Sequence, residues 1–261
     1  MSSTHYPRAA DFRARLLSRV PLSGMFLQLG SPISAEIAAY AGFDGLVLDG
    51  EHGVGSEDAT MAQLIAIAGS PSAVPLVRVT ANEVPRFKRA LDAGAVGVVV
   101  PLVDSVASAE AAVAATRYPP VGIRGVARMT RASVYGVIDQ SWFASVAERI
   151  ALIVQIETVL GVSAAAAIAA IDGVDCLFVG PTDLGVALAG RPIAFEDERL
   201  VTARRAVAAA AAKAGKAAGI LCATAEQVSA VRAEGFTFVC LGSDLGALAA
   251  GVRLFATALR S

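Results

Sequence analysis

A chain of 261 residues holds one large domain or two small ones. Its net charge of −1 supplies no basic face for a nucleic acid. Although 55% of the residues are hydrophobic, no run reaches the roughly 18 uninterrupted apolar residues of a membrane helix, because Asp172, Asp175 and Lys213 interrupt the longest candidates.

The opening MSSTHYPRAADFRARLL lacks the apolar core of a secretory signal. Residues 1–22 read as a loose tail and a short amphipathic helix, with Arg13, Arg15 and Arg19 on its solvated face. Residues 23–261 read as one domain in which short apolar runs alternate with helical patterns. The runs are GMFLQL (24–29), GLVLDG (45–50), PLVRV (75–79), GVVVPLV (97–103), ALIVQIE (151–157), CLFVGP (176–181), AAGILC (217–222) and TFVCLGS (237–243). Gly42, Gly94, Gly215 and Gly235 stand where a helix closes before the next strand. Eight βα repeats in about 250 residues predict a (β/α)8 TIM barrel, and near-continuous apolar strands fit parallel pairing buried on both faces. A doubly wound open sheet competes, but no GxGxxG follows the first strand. Cys176, Cys222 and Cys240 fall in predicted strands without CxxC spacing, as expected of a reducing cytoplasm. The one long irregular stretch, 118–141, follows Arg117 and carries Arg124, Arg128 and Arg131, a pattern for holding an anionic substrate or forming an oligomer contact.

In a barrel enzyme the reacting groups come from the carboxyl ends of the strands. Those ends supply Asp49, Glu51 and His52 from LDGEHG, then Arg78, then Gln155 and Glu157, and finally Gly180, Pro181, Thr182 and Asp183. Side chains two apart on a strand share a face, so Gln155 and Glu157 project together, and Asp183 arrives one βα unit later. Two carboxylates on neighbouring parallel strands suit a hard divalent cation; each alone reads equally well as a helix-initiating acid. His52 follows a strand end in a glycine-flanked turn, and its only companion, His5, lies in the tail. A histidine supplies general-base chemistry near neutrality with little tuning. Arg78 inside a strand calls for an anion, either a carboxylate such as Asp49 or Glu51, or a substrate.

Exclusions narrow the chemistry. Lys88 lies in a helix, and Lys213 and Lys216 precede the seventh strand at the wrong end of a barrel, so imine formation is not expected. No GxSxG elbow occurs. A hard metal, a histidine and an arginine remain, a set suited to stabilising an enolate. Loops after strands seven and eight often hold phosphate, so LGSDLG leaves a phosphate-binding isomerase open.

LDGEHG, PLVR, ATRYPPVGIRGV, VQIET and FVGPTDL resemble the HpcH/HpaI family of metal-dependent pyruvate aldolases, from about Leu22 to the C-terminus. The resemblance implies a TIM barrel of the phosphoenolpyruvate/pyruvate-domain type and a class II aldolase. Such an enzyme cleaves a 4-hydroxy-2-oxo acid reversibly to pyruvate, or a close 2-oxo acid, and an aldehyde, in aromatic-compound or sugar-acid breakdown. It implies Glu157 and Asp183 as ligands of Mg²⁺ or Mn²⁺, with Co²⁺ or Zn²⁺ able to substitute. Gln155 and residues 180–183 would hold the pyruvate moiety, with Arg78 stabilising the enolate. His52 would accept the proton, Asp92 would raise its basicity, Asp49 would support the metal's water shell, and Arg124 would play a supporting part. A homo-oligomer is implied, a hexamer built as a trimer of dimers, with no nucleic-acid or membrane partner. An acyl-CoA lyase of the citrate-lyase-beta or malyl-CoA type is the alternative. The sequence departs from the family at Phe26, where many relatives carry Trp, in ARMTRAS after GIRGV, and at Ser243.

Overall fold

The structure, a computed structural model, describes residues 7–137 and 141–260. All eight predicted strands form and close into a parallel barrel in chain order. They are β1 (Leu22–Leu27), β2 (Gly45–Asp49), β3 (Val74–Arg78), β4 (Gly97–Val100), β5 (Ala151–Ile156), β6 (Cys176–Val179), β7 (Ala217–Cys222) and β8 (Phe238–Ser243). The strands are wrapped by α2 (Pro32–Tyr40), α3 (Glu57–Ala68), α4 (Val84–Asp92), α5 (Val106–Thr116), α7 (Val159–Ala169), α8 (Pro181–Ala189), α9 (Glu198–Lys213), α10 (Ala225–Ala233) and α11 (Asp244–Ala258). An extra helix, α1 (Pro7–Leu17), precedes the barrel, and α6 (Ser141–Arg149) precedes β5.

Two apolar layers follow from the strand alternation. Phe26, Val47, Leu76, Val99, Ile153, Phe178, Phe238 and Cys240 fill the barrel interior, while Leu46, Leu48, Val77, Val98, Val154 and Leu177 face the helices. A Cβ on Gly219 would meet Phe178 Cδ2 at 2.5 Å, so that glycine makes room for the ring. The alanine excess also finds its use: Ala35, Ala38 and Ala39 on α2 and Ala109, Ala112 and Ala115 on α5 are buried against the sheet. Small side chains at i, i+3 and i+4 on α2, and at i, i+3 and i+6 on α5, let these helices lie close to it.

The N-terminal reading needs correction. Phe12 and Leu16, four apart on α1, are buried with the interior cluster, and Phe12 meets the Phe238 ring edge-on at 5.8 Å. Burying that stripe in the open mouth of the barrel swings its arginines over acids at the strand starts. Arg13 donates to both oxygens of Asp175 at 2.9 and 2.8 Å, and Arg15 pairs with Asp44 at 2.8 Å. Of these three arginines only Arg19, just past the helix, is exposed, so α1 is the barrel's floor and the boundary expected after residue 22 falls inside β1.

The arginine-rich stretch is a braced strap. Arg124 is buried, lies over the Tyr118 ring at 4.7 Å and donates to Asp92 at 2.7 Å. Arg131 donates to the carbonyls of Ala93 and Leu64 at 3.2 and 3.3 Å, across the ends of α4 and α3. Arg117 is buried as well, leaving Arg128 as the exposed guanidinium among these four. Residues 138–140 of the stretch, and the tail with His5, lie outside the described residues.

Candidate active site

Interior positions at the carboxyl ends of the strands are polar where those lower down are apolar. Asp49 and Arg78 are register partners on β2 and β3, and adjacent strands lie only about 4.8 Å apart. Arg78 donates from Nε to Asp49 Oδ1 at 2.9 Å and from Nη2 to Oδ2 at 2.7 Å, and its Nη1 lies 3.2 Å from Glu51 Oε2. Beneath it the guanidinium covers the Phe26 ring at 5.1 Å. Burial alone would push the Asp49 carboxyl up. The hydrogen bonds and charge of Arg78, with donors from Gln28 and His52, outweigh it and hold the group below its ordinary range.

Gln155 and Glu157 project together from the end of β5, as the alternation predicts. Glu157 precedes Thr158, the N-cap of α7, so it is not a helix-initiating acid. Its Oε1 accepts the backbone N–H of Leu102 at 2.8 Å, and its Oε2 accepts from the Gln155 amide. Leu102 adopts φ +53, a left-handed conformation that ends β4 and turns that N–H inward. Gly180 lies against both side chains: a Cβ there would overlap Glu157 Oε2 and come within 2.8 Å of Gln155 Nε2.

Asp183 sits in the first turn of α8, which opens with Gly180 as N-cap and Pro181 at the first helical position. Glu51, Glu157 and Asp183 form one electrostatic group. Burial raises the carboxyls of Glu51 and Glu157 above the ordinary range, the negative charge of Asp183 raises both further, and Glu51 raises Glu157 as well. Gln155 Oε1 and Glu51 Oε2 are buried without a hydrogen-bond partner. Like charges beside orphaned oxygen acceptors suit a hard cation with oxygen ligands. Among the described residues no three acid, histidine or cysteine side chains close into a metal cage. The carboxylates make a partial shell of oxygen ligands, of the kind a hard divalent cation completes with water and substrate.

His52 is exposed in the turn after β2, and its backbone N–H donates to Asp49 Oδ1 at 3.1 Å. Three residues with expected roles have partners within the chain. Asp92, at the end of α4, is held by Arg124, and among the described residues no hydrogen bond joins it to His52. Arg124 is buried as that carboxylate's partner, not aimed at a ligand. Asp49, expected beside a metal's water shell, has its oxygens filled by N–H donors from Arg78, Gln28, Glu51 and His52. The geometry gives no support to the phosphate-binding alternative left open at LGSDLG. Ser243 caps α11, accepting from Gly246 N at 3.1 Å, and Asp244 places its own carboxylate where an anion would sit. Glu51 meets the expectation of a carboxylate partner for Arg78, whereas Leu102 and Gln28 carry no role on sequence grounds, and nothing local marks Leu102.

The site's residues all lie within a family match. Residues 22–250 match the HpcH/HpaI aldolase/citrate lyase family. The chain belongs to that family. It is accordingly a carbon–carbon lyase, and its fold is the family's TIM barrel. It is 42% identical over 256 residues to 5-keto-4-deoxy-D-glucarate aldolase of Salmonella paratyphi C, covering 98% of each chain. Among solved structures it is similar to an HpcH/HpaI aldolase/citrate lyase family protein from Burkholderia cenocepacia, with TM-score 0.91, 36% identity and coverage of 97% and 100%. A citrate synthase, SbnG, follows at TM-score 0.82 and 27% identity, with coverage of 95% and 96%. Membership in the HpcH/HpaI family thus spans the whole barrel, including every strand end that carries the site.

Proposed function

We propose that this HpcH/HpaI enzyme is a class II aldolase that cleaves a 4-hydroxy-2-oxo acid derived from a sugar diacid to pyruvate, or a close 2-oxo acid, and an aldehyde. The observation that carries this is the grouping of Glu51, Glu157 and Asp183 closely enough for their charges to be felt by one another, with Glu51 Oε2 3.2 Å from Arg78 Nη1 and Gln155 Oε1 buried without a hydrogen-bond partner. The substrate class rests on the 42% identity to an aldolase of 5-keto-4-deoxy-D-glucarate.

Glu157 and Asp183 would hold a divalent cation, Mg²⁺ or Mn²⁺ by their oxygen chemistry. When bound, such a cation supplies a Lewis acid for the keto oxygen. The chain's own groups do the remaining work. The backbone N–H groups of Thr182 and Asp183, at the start of α8, receive the carboxylate of the 2-oxo acid. Gln155 orients Glu157 with its amide and keeps Oε1 for a donor on water or substrate. Arg78 presents a fixed positive charge to the enolate oxygen as the C3–C4 bond breaks. His52 takes the C4 hydroxyl proton as the aldehyde forms, help worth roughly 10²–10⁴ in rate.

The protein is further proposed to work as a homo-oligomer: the resemblance implies a trimer of dimers, and α11 carries an apolar stripe that its own barrel does not cover. Three buried free cysteines support a reducing, cytoplasmic setting, and no helix among the described residues is long and apolar enough to cross a membrane.

The test is a pair of measurements on wild type and Glu157→Gln: Mn²⁺ binding, and pyruvate release from 5-keto-4-deoxy-D-glucarate. Wild type is expected to bind the ion and release pyruvate, and the variant to lose both. Full turnover after exhaustive chelation, or an unchanged variant, refutes the assignment; turnover of acyl-CoA substrates instead selects the alternative lyase.

A further inference from the structure

One side chain at the active face has no part in the chemistry above. Gln28 follows directly on β1, and its backbone is fixed on both sides. Its N–H donates to Asp244 Oδ1 at 2.6 Å, and its carbonyl accepts from Val54 N, in the turn beyond His52, at 2.9 Å. Asp244 is buried and also accepts from Ser34 Oγ at 2.6 Å and Leu245 N at 2.8 Å. The side chain thus starts from an anchored point on the seam between β8, β1 and β2.

From there Gln28 Nε2 donates to Asp49 Oδ2 at 3.0 Å. Asp49 Oδ2 is also the acceptor of Arg78 Nη2, while Oδ1 takes Arg78 Nε and the backbone N–H groups of Glu51 and His52. A carboxylate offers about four lone-pair sites, so these five donors leave Asp49 saturated and unable to rotate. Arg78 has a competing anion close by, since Glu51 Oε2 lies 3.2 Å from Nη1 without forming a geometrically sound hydrogen bond. Without the Gln28 amide, Oδ2 is held by Arg78 alone, and the guanidinium is free to slide toward Glu51.

We propose that Gln28 is a positioning residue: its amide locks Asp49, and through Asp49 it fixes both the Arg78 guanidinium and the turn that carries His52. The inference rests on the aldolase function for its kinetic consequence, but its structural consequence stands apart. Truncation spares the two backbone bonds that anchor residue 28, so the fold is expected to survive.

The experiment compares wild type, Gln28→Ala, Gln28→Met, Arg78→Lys and Gln28→Ala/Arg78→Lys. The kinetic readout is exchange of pyruvate methyl protons with D₂O at saturating Mg²⁺. Gln28→Ala is expected to lower the maximal exchange rate about tenfold, the scale of one hydrogen bond to a charged group, with the half-saturating pyruvate concentration changed less than about twofold. Lysine cannot make the side-on pair with Asp49. In the Arg78→Lys background the same truncation should therefore add less than about twofold, the non-additivity expected of residues acting as a unit. A wild-type rate in Gln28→Ala, or an equal loss in both backgrounds, overturns the proposal. Gln28→Met keeps the length and removes the donor, and its crystal structure should show Arg78 displaced from Asp49 toward Glu51. An Arg78 still paired side-on with Asp49 in that variant overturns the proposal even if no exchange activity is found. Absence of exchange in wild type with either Mg²⁺ or Mn²⁺ would instead count against the aldolase function.

Discussion

Gly180 is the residue at which the site is most easily damaged without disturbing the barrel. Its φ of −89° is open to any amino acid, so alanine meets no backbone penalty there. The added methyl would nevertheless overlap Glu157 Oε2 and press on Gln155 Nε2. Overpacking of this kind costs about 1–3 kcal/mol, and the carboxylate, held by one N–H of Leu102 and one of Gln155, is the part that gives way. Gly180→Ala is expected to weaken divalent-metal binding about tenfold or more, read by calorimetric titration with Mn²⁺, while the far-ultraviolet spectrum stays that of wild type. Unchanged metal affinity would remove Glu157 from the ligand set. Arg78→Ala separates the other half of the site. Losing a preorganised charge costs about 3 kcal/mol of transition-state stabilisation, so pyruvate proton exchange should fall about a hundredfold with metal affinity retained. Unchanged exchange would take Arg78 out of the mechanism.

At the scale of elements, buried ion pairs pin the helices to one another. Arg204 on α9 lies over the Phe195 ring at 4.4 Å, donates to the Phe195 carbonyl at 2.6 Å and grips Glu234, the C-cap of α10, at 2.7 and 2.9 Å. Burial pushes the Glu234 carboxyl up, but Arg204 and Arg205 outweigh it and set the folded value below the ordinary 4.5. A carboxyl depressed in the folded state adds stability that is complete above 4.5 and is lost as pH falls through the folded value. Glu234→Gln should therefore cost about 1–3 kcal/mol at pH 7 and progressively less below pH 4.5, measured by urea unfolding across that range. A cost independent of pH would show that the pair's charge is not what holds α10. The same elements show what the sequence made legible and what it did not. Strand positions follow from runs such as ALIVQI, because parallel strands in a barrel are apolar on both faces, and the parity of Gln155 and Glu157 follows from the two-residue period. The Arg78 partners Asp49 and Glu51 are legible too, because they sit at the end of the neighbouring strand, but the partners of other charges are not. Whether Arg13 faces water or Asp175, and whether Asp92 meets His52 or Arg124, depends on which elements pack together across long separations in the chain. No local period encodes that.

The whole molecule presents one surface that a lone barrel leaves wet. Along α11 and its C-cap, Leu245, Leu248, Val252, Phe255 and Leu259 recur at spacings of three and four and are exposed, Phe255 by 68% and Leu259 by 89%. Ile33, Ile37 and Tyr40 on the neighbouring α2 are exposed as well. A three-and-four repeat is the seam by which helices pack on one another, and full burial of each large apolar side chain contributes about 1.5–3 kcal/mol. Contiguous apolar surface of this kind marks an association site. The surface supports association, and the family resemblance implies six copies: wild type is expected to run as a hexamer by light scattering, with a thermal midpoint that rises with protein concentration, as linkage to assembly requires. Leu248→Asp/Phe255→Asp places two charges on the seam without touching the barrel core, and should yield smaller particles whose secondary structure is intact. Because α11 begins at Asp244, whose carboxylate braces Gln28, loosening that helix is also expected to lower pyruvate exchange more than the distance from the seam to His52 would suggest. A wild type that scatters as a monomer at tens of micromolar would refute the assembly.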